Sequence, residues 1–235
     1  GVSVSLDYLK RECKRAIETP TYQNTFKRLH LNIKTTNDSV FLDMSKWDAL
    51  PKAPPLESLY GKRCFGSYDL STTTDITAFV LVFPPSEAGG IWHRLPFFWV
   101  PRENADLRER RDRVPYMTWI ERGFITATDG NTVDYDIVRR DINELAKKFN
   151  IHMIARDRWN ATQITTQLAG DGLSVIDFGQ GFASMSAPTK HLEALVMSGK
   201  LSNDGNPVLR WMASNTAVEM DAAGNLKPSK KKSTA

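Results

Sequence analysis

Three apolar, aromatic-rich segments follow one another in the first half of the chain. They cover Arg63–Asp69, Thr77–Phe83 and residues 91–100, and short polar or Gly/Pro-containing turns separate them. Runs of β-branched and aromatic residues that end in turn residues are typical of strands. Because consecutive strands joined by short turns usually pair with each other, the pattern predicts a three-stranded antiparallel meander.

An amphipathic helix is predicted over residues 134–150. Four apolar residues recur there at i, i+4, i+7 and i+11, which places them on one helical face: Val138, Ile142, Leu145 and Phe149. Asp134 precedes the first turn, where its side chain can accept hydrogen bonds from the backbone N–H groups that begin a helix. The segment therefore has both an apolar face and a start signal.

Strand-like and helical patterns alternate after this helix. Residues 151–155 and 173–178 are apolar and rich in β-branched residues, whereas residues 159–168 and 188–198 have helical spacing. The whole pattern predicts an α/β fold with a mixed β-sheet, an antiparallel meander plus parallel strands, flanked by helices. The ribonuclease H-like fold has this order of elements, and other α/β folds with an antiparallel edge also fit the pattern.

The N-terminal part of the chain differs from this central pattern. A short amphipathic helix at residues 5–18 is followed by irregular sequence and then by a proline cluster, Pro51, Pro54 and Pro55, which is typical of a linker. We therefore predict that residues 1–58 form an appendage and that residues 59–235 form the main domain.

The C-terminal part contains further turn and helix signals. Pro188 suits the first position of the helix predicted at 188–198, and Gly199 is placed to end that helix. Residues 208–227 are predicted to form a strand and a hairpin, with the turn at residues 223–225.

Composition indicates a globular protein with a full core. The chain has 235 residues, of which 41% are hydrophobic. It contains no apolar run of the roughly 18 residues that a membrane span needs, and its N-terminus lacks the apolar segment of a signal peptide, so we expect a cytoplasmic location. The two cysteines, Cys13 and Cys64, belong to no zinc-binding pattern, and we expect both to be buried free thiols.

The charge of the chain is compatible with a polyanionic partner. There are 31 Lys and Arg residues against 27 Asp and Glu residues, which gives a net charge of +4. Five arginines crowd residues 102–113, and four lysines lie within residues 227–232. Solvated surface charge is the expected role of both clusters.

Asp69 and Asp157 are the candidate catalytic residues. Asp69 ends the first predicted strand, and Asp157 follows the fourth. Each aspartate alone is more typical of a turn or of a solvated strand end. The first and fourth strands of a ribonuclease H-like sheet are neighbours, however, so the two carboxylates would converge and would repel unless a cation lay between them. Oxygen ligands favour Mg²⁺ or Mn²⁺, and two such ions about 3.5–4 Å apart can hydrolyse a phosphodiester.

Three polar residues around the end of the fourth strand are candidates for contacts with a phosphate backbone. Arg156 and Arg158 would supply positive charge, and Asn160 could donate to a phosphate, although capping the following helix is the role that we favour. Two further polar residues have structural interpretations. Asp75 is more typical of a hairpin turn than of a metal site, and the spacing around His152 predicts a core residue.

Several segments together resemble the large terminase subunit of tailed bacteriophages. They are FKRLHLN (26–32), Trp47, GSYDLSTTTDITAFVLVFP (66–84), ARDRWNA (155–161) and NPVLRWMASN (206–215), and the resemblance covers nearly the whole chain. In that family a packaging ATPase precedes a linker and a ribonuclease H-like nuclease. This chain resembles only the linker and the nuclease. Nothing in the chain matches the GxxxxGK[ST] motif, so the ATPase motor is not expected in it.

The resemblance implies a metal-dependent endonuclease that cuts concatemeric double-stranded viral DNA during genome packaging. It assigns metal binding to Asp69 and Asp157. The family's third acidic ligand lies on a helix beyond the basic C-terminal segment, and the resemblance implies that this residue is not among those present. Asp204, Glu219 and Asp221 are the nearest acids, and their surroundings are more typical of turns.

The resemblance also implies the partners of the protein. These are double-stranded DNA, a small terminase subunit, the portal and sister large subunits. The resemblance implies a location in the host cell cytoplasm and no membrane partner. Lys230, Lys231 and Lys232 either contact DNA or form a mobile tail. Two alternatives stay open: another ribonuclease H-like nuclease such as a resolvase or transposase core, and a DNA-binding or assembly module without catalysis.

Overall fold

The computed structural model describes residues 4–33, 41–73, 75–157 and 162–233. The chain divides into two compact units, each assembled from separate stretches. The sheet unit comprises Leu50–Gln180 and Lys200–Leu209, and the helical unit comprises Gly1–Ala49, Gly181–Gly199 and Arg210–Ala235. The division of the sequence into residues 1–58 and 59–235 remains a prediction.

Helices and strands occupy most of the described residues. In chain order the helices are α1 (Leu6–Glu18), α2 (Pro20–Leu31), α3 (Met44–Asp48), α4 (Arg102–Asp112), α5 (Tyr116–Glu121), α6 (Tyr135–Lys148), α7 (Thr162–Gly170), α8 (Phe182–Met197) and α9 (Pro207–Asn215). The strands are β1 (Arg63–Asp69), β2 (Thr77–Phe83), β3 (His93–Pro101), β4 (Thr126–Thr128), β5 (Asn150–Asp157), β6 (Val175–Phe178), β7 (Val218–Met220) and β8 (Leu226–Pro228). Within this part of the chain no helix is long and apolar enough to cross a membrane.

The sheet unit contains a mixed sheet with the strand order β4-β3-β2-β1-β5-β6. The pairs β1/β2 and β2/β3 are antiparallel, whereas β1/β5, β5/β6 and β3/β4 are parallel. The predicted meander followed by parallel strands is therefore confirmed. The short edge strand β4 was not predicted, so the strand that carries Asp157 is the fifth along the chain rather than the fourth.

One apolar cluster forms the core of the sheet unit. Inward-facing residues alternate along β2, where Phe79, Leu81 and Phe83 are buried. Val138 and Ile142 on α6 join the same cluster, and this confirms the predicted apolar face of that helix. The side chain of Asp134 accepts hydrogen bonds from the first turn of α6, so the predicted cap is also confirmed.

The segment between β3 and α6 contains two helices that the sequence pattern did not predict, α4 and α5. Charged residues dominate α4, so no apolar periodicity marks it. Arg108 nevertheless is only 8% exposed, and its Nη2 atom donates to the Tyr116 hydroxyl at 2.9 Å. The expectation of a solvated charge is wrong for this arginine, because it packs against an aromatic ring.

The helical unit begins with the predicted helix α1, and the side chain of Ser5 accepts from its first turn. The irregular sequence expected after α1 is instead a second helix, α2. Pro20 lies in the first turn of α2, where the missing N–H of proline costs no hydrogen bond. The proline therefore opens this helix rather than preventing it.

Helix α8 begins at Phe182, earlier than predicted, so Pro188 lies inside the helix and not at its first position. Gly181 provides the N-cap, and the start signal assigned to the proline was wrong. Gly199 follows the helix with a φ of +67°, which glycine adopts without steric cost, and so ends α8 as predicted.

The predicted strand after residue 207 is a helix, α9. The side chain of Asn206 accepts the N–H groups of Val208 at 3.0 Å and Leu209 at 3.1 Å, and Pro207 is the first helical residue. This is an ordinary capped helix start that the strand prediction overlooked. The hairpin that follows, β7 and β8, is confirmed, and Gly224 lies in its turn with a φ of +78°.

Two predictions of burial are wrong. Cys13 is exposed on α1, whereas Cys64 is buried as expected. His152 is exposed, with its ring edge-on to that of Phe65, and it is the extra residue of a β-bulge. The pairing of β1 with β5 passes from Cys64 opposite Ile151 directly to Phe65 opposite Met153.

Candidate active site at the ends of β1 and β5

Asp69 and Asp157 are the last residues of two neighbouring parallel strands. Tyr68 pairs with Arg156, so the next position on each strand is an aspartate. Neighbouring strands lie about 4.8 Å apart, and residues in register on parallel strands point to the same side of the sheet. The two carboxylates therefore project from the same edge and face.

The β-bulge at His152 produces this register. If the pairing of Cys64 with Ile151 continued without interruption, Asp69 would lie opposite Arg156. The extra residue advances β5 by one position and brings Asp157 beside Asp69 instead. A change of one residue in register exchanges the two faces of a strand, so the bulge decides which charge lies beside Asp69.

Tyr68 and Arg156 occupy the face opposite to the aspartates, because successive residues of a strand alternate between faces. The Tyr68 hydroxyl is 2.8 Å from the Thr165 hydroxyl, and burial raises the pKa of Tyr68. The Arg156 Nη2 atom is 2.8 Å from the carboxylate of Asp177, and the Arg156 side chain is 15% exposed. Contact of Arg156 with a phosphate backbone remains a prediction.

The loop that follows Asp69 is fixed by hydrogen bonds at its base. The Ser71 N–H donates to the Thr77 hydroxyl at 3.0 Å, and that hydroxyl donates back to the Ser71 carbonyl at 3.1 Å. The Asp75 N–H donates to the Ser71 hydroxyl at 2.9 Å, in agreement with the turn role favoured for Asp75. Thr77 is fully buried, and the sequence pattern indicated no role for it beyond a strand position.

Contacts from elsewhere in the sheet unit hold the tip of the same loop. The Val133 N–H donates to the Thr72 carbonyl at 3.0 Å, and the Asn104 amide donates to the carbonyls of Thr73 at 3.3 Å and Asn131 at 2.8 Å. These contacts connect the loop to α4 and to the segment before α6. The backbone that leaves Asp69 is therefore held on two sides.

The donor set at this edge suits a hard cation. Two carboxylates on adjacent strands would repel each other in the absence of positive charge. Among the residues that the structure describes, no group of three or more His, Cys, Asp or Glu side chains could hold a metal ion. Mg²⁺ is commonly bound by one or two carboxylates together with water and phosphate oxygens, and this pair provides that number of protein ligands.

The remaining candidate residues divide into two sets. Arg158 and Asn160 lie outside the described residues, so their roles remain predictions.

The acids near the basic C-terminal segment have the turn and hairpin contacts expected from the sequence. Asp221 accepts N–H groups within its own turn, Glu219 pairs with Lys227 at 3.0 Å, and Asp204 accepts a backbone N–H at 3.2 Å.

Comparison with known proteins identifies close relatives. The family model described as "Terminase large subunit, endonuclease domain" matches residues 1–235. The chain is 34% identical over 228 residues to the large terminase subunit of Enterobacteria phage HK97, covering 96% of this chain and 44% of that protein. It is 30% identical over 223 residues to Protein YmfN of Escherichia coli strain K12, covering 92% of this chain and 49% of that protein.

The fold agrees with these relationships. The chain matches the crystal structure of the HK97 bacteriophage large terminase with a TM-score of 0.76 and 34% identity, covering 99% of this chain and 48% of that one. It thus spans about half the length of these relatives. Its mixed sheet is ribonuclease H-like, with the antiparallel meander beside two parallel strands. The chain belongs to the family of terminase large subunit endonuclease domains.

Proposed function

We propose that the chain is a divalent-metal-dependent endonuclease that cuts concatemeric double-stranded viral DNA during genome packaging. The observation that carries this proposal is the shared register of Asp69 and Asp157 at one edge of the sheet. Membership of the terminase endonuclease family supports DNA as the substrate. The implied partners, a small terminase subunit, the portal and sister large subunits, and a host cytoplasmic location belong to the same proposal.

Asp69 and Asp157 would hold Mg²⁺ or Mn²⁺, with two ions bound in the complete site. When bound, such a pair of ions activates water and stabilises the leaving oxygen of a phosphodiester. The chain's own contribution is to fix the carboxylates. The bulge at His152 sets their register, and the hydrogen bonds of Ser71 with Thr77 hold the backbone after Asp69. Arg156, Arg158 and Asn160 are the proposed contacts to the DNA backbone.

Nicking of supercoiled plasmid in Mn²⁺, Mg²⁺ or EDTA tests the proposal. We expect cleavage only with metal, and we expect Asp69→Asn and Asp157→Asn each to lower the rate at least about hundredfold, because even outer-shell partners of metal ligands are worth 10- to 100-fold. Glu57→Gln is the matched control, since it removes one exposed carboxylate from the sheet unit. Undiminished cleavage by both aspartate variants would reject the site.

A DNA-binding or assembly module without catalysis is the second candidate. The net charge of +4 is compatible with it, because positive charge attracts a phosphate backbone without catalysis. DNA binding that weakens with salt, without metal-dependent cleavage by this chain or by a longer chain extending past Ala235, would identify this second function.

A further inference from the structure

Lys230, Lys231 and Lys232 form one hydrogen-bonded turn directly after β8. The Ser229 carbonyl accepts the N–H of Lys232 at 3.3 Å and the N–H of Ser233 at 3.0 Å, and it also accepts the Ser233 hydroxyl at 2.7 Å. We call residues 229–233 the lysine turn. Three donors converge on this one carbonyl and hold the backbone of the turn.

The lysine turn is also anchored to the residue before β7. The Ser229 N–H donates to the Ala217 carbonyl at 2.9 Å, and the Ala217 N–H donates to the Ser233 hydroxyl at 3.0 Å. Ala217 is fully buried, and Ser229 is 4% exposed. Both ends of the turn are therefore attached to the buried side of the hairpin, while its three lysines are exposed.

The carboxylate of Glu219 is already paired with a lysine outside the lysine turn. Glu219 accepts a hydrogen bond from the Ser229 hydroxyl at 3.2 Å and pairs with Lys227 at 3.0 Å. The hydrogen bond from Lys227 lowers the pKa of Glu219, and the charge of Lys232 adds a smaller contribution in the same direction. Lys227 thus balances Glu219, and the turn adds three positive charges to the surface.

We propose that the lysine turn binds the phosphate backbone of double-stranded DNA. It belongs to the helical unit, whereas Asp69 and Asp157 belong to the sheet unit. The inference rests on the proposed function for its ligand and adds a second, non-catalytic DNA contact. The three adjacent lysines concentrate positive charge on one exposed turn, and duplex DNA carries one negative charge per about 1.7 Å of its axis.

The composition of the turn favours DNA over an acidic protein surface. Protein interfaces bury an apolar centre surrounded by polar residues, but the exposed positions of the turn are lysines alone. Lysine acts on phosphate as a point charge and needs no fixed angle. A pre-formed backbone also lowers the ordering cost of binding. The structure therefore suits contact with any duplex sequence.

Fluorescence anisotropy with a short labelled duplex in EDTA tests the lysine turn without cleavage. The test variant is Lys230→Gln/Lys231→Gln/Lys232→Gln, and the corresponding triple Lys→Arg variant preserves charge. Lys14→Gln/Lys147→Gln/Lys148→Gln removes the same charge from other exposed positions and is the matched control. The affinity of each variant is measured over a series of salt concentrations.

We expect the glutamine variant at the turn to flatten the slope of log K against log salt by about 0.9 for each phosphate that a lysine no longer neutralises, up to about 2.7 in total. Its affinity near physiological salt should fall at least about tenfold, whereas the arginine variant should bind like wild type.

Equal affinity and slope for the turn variant and its control would overturn the proposal. Unchanged duplex affinity together with abolished binding of poly-glutamate would also overturn it and would indicate an acidic protein partner.

The same series separates this inference from the nuclease proposal. Glu57→Gln should bind the duplex in EDTA as wild type does, because it leaves both the lysine turn and the proposed metal ligands intact. If plasmid nicking fails but duplex affinity still depends on the lysines, the nuclease assignment of Asp69 and Asp157 is rejected and the DNA-binding role of the lysine turn is retained. If nicking is metal-dependent and the lysines do not affect affinity, only the DNA-binding role of the lysine turn is rejected.

Discussion

Asp69 lies in register with Asp157 because one residue, His152, is inserted into β5 between Ile151 and Met153. The insertion is a β-bulge, in which two residues of one strand lie opposite one residue of its partner. The sheet therefore contains a local irregularity whose effect appears at the far end of the strand, where the candidate metal ligands lie.

Deleting His152 should abolish metal-dependent cleavage. Without the extra residue, Asp69 would lie opposite Arg156, and Asp157 would move out of register. His152→Ala is the control, because it keeps the bulge and removes only an exposed ring; we expect it to retain most of the activity. Plasmid nicking and circular dichroism together test this prediction. A folded deletion variant with wild-type cleavage would show that the bulge does not set the site.

Asp177→Ala should destabilise the sheet unit. Arg156 is 15% exposed and pairs with Asp177, which is 50% exposed, so the variant leaves a largely buried guanidinium without this partner. Loss of a buried partner costs about 3–5 kcal/mol, and the exposure of Asp177 reduces the expected loss to about 1–2 kcal/mol. Urea unfolding measures the change. Asp106→Ala, which breaks an exposed pair with Arg110, should change stability by less than about 0.5 kcal/mol.

Gly66→Ala should overpack the core. A Cβ atom at this position would lie 2.8 Å and 2.9 Å from ring carbons of Phe79 and 3.1 Å from Ile154. Phe79 is fully buried and cannot move aside, so we expect a loss of about 1–3 kcal/mol in the free energy of unfolding. Gly170→Ala, at the end of α7, meets no atom within 4 Å and should be neutral or slightly stabilising. Equal stability of the two variants would contradict the close approach.

The two thiols should differ in reactivity. Burial raises the pKa of Cys64 to about 11, and its Sγ donates to the Asn150 carbonyl at 3.6 Å, whereas Cys13 is exposed. Titration of the native chain with a thiol reagent at mildly alkaline pH should detect one fast-reacting thiol, and denaturant should release the second. The thiolate is the reactive form, so a fast reaction that persists in Cys13→Ser would contradict the burial of Cys64.

Acid should remove a contribution that Asp171 makes to stability. Hydrogen bonds from Arg139 and then Asn143 lower the pKa of Asp171 to about 2. A carboxyl group in an unfolded chain has a pKa of about 3.9, so the stabilisation is complete above that value and is lost as pH falls toward about 2. The difference in melting temperature between wild type and Asp171→Asn should therefore be constant near neutral pH and shrink in this window. A difference that persists to the lowest pH would exclude this cause.

The amino-acid sequence by itself determined the main elements of the sheet unit. Alternating and helical patterns located β1, β2 and α6, and Asp134 marked the start of that helix. These patterns record which side of each element faces the core, and that information is present in consecutive residues. The positions of Asp69 and Asp157 at strand ends were local features of the same kind.

Only the tertiary structure decided the features that depend on residues distant in the chain. The bulge at His152 is defined by pairing with β1, and a strand pattern alone cannot show which residue is left over. The prediction of a solvated Arg108 was wrong because Tyr116 packs against it, and the sequence alone did not show that Ala217 anchors the lysine turn. Strand register, the burial of a charged side chain and the anchoring of a turn depend on contacts with residues elsewhere in the chain. Hydrophobic periodicity shows only that an element has a buried face, and not which residues cover that face.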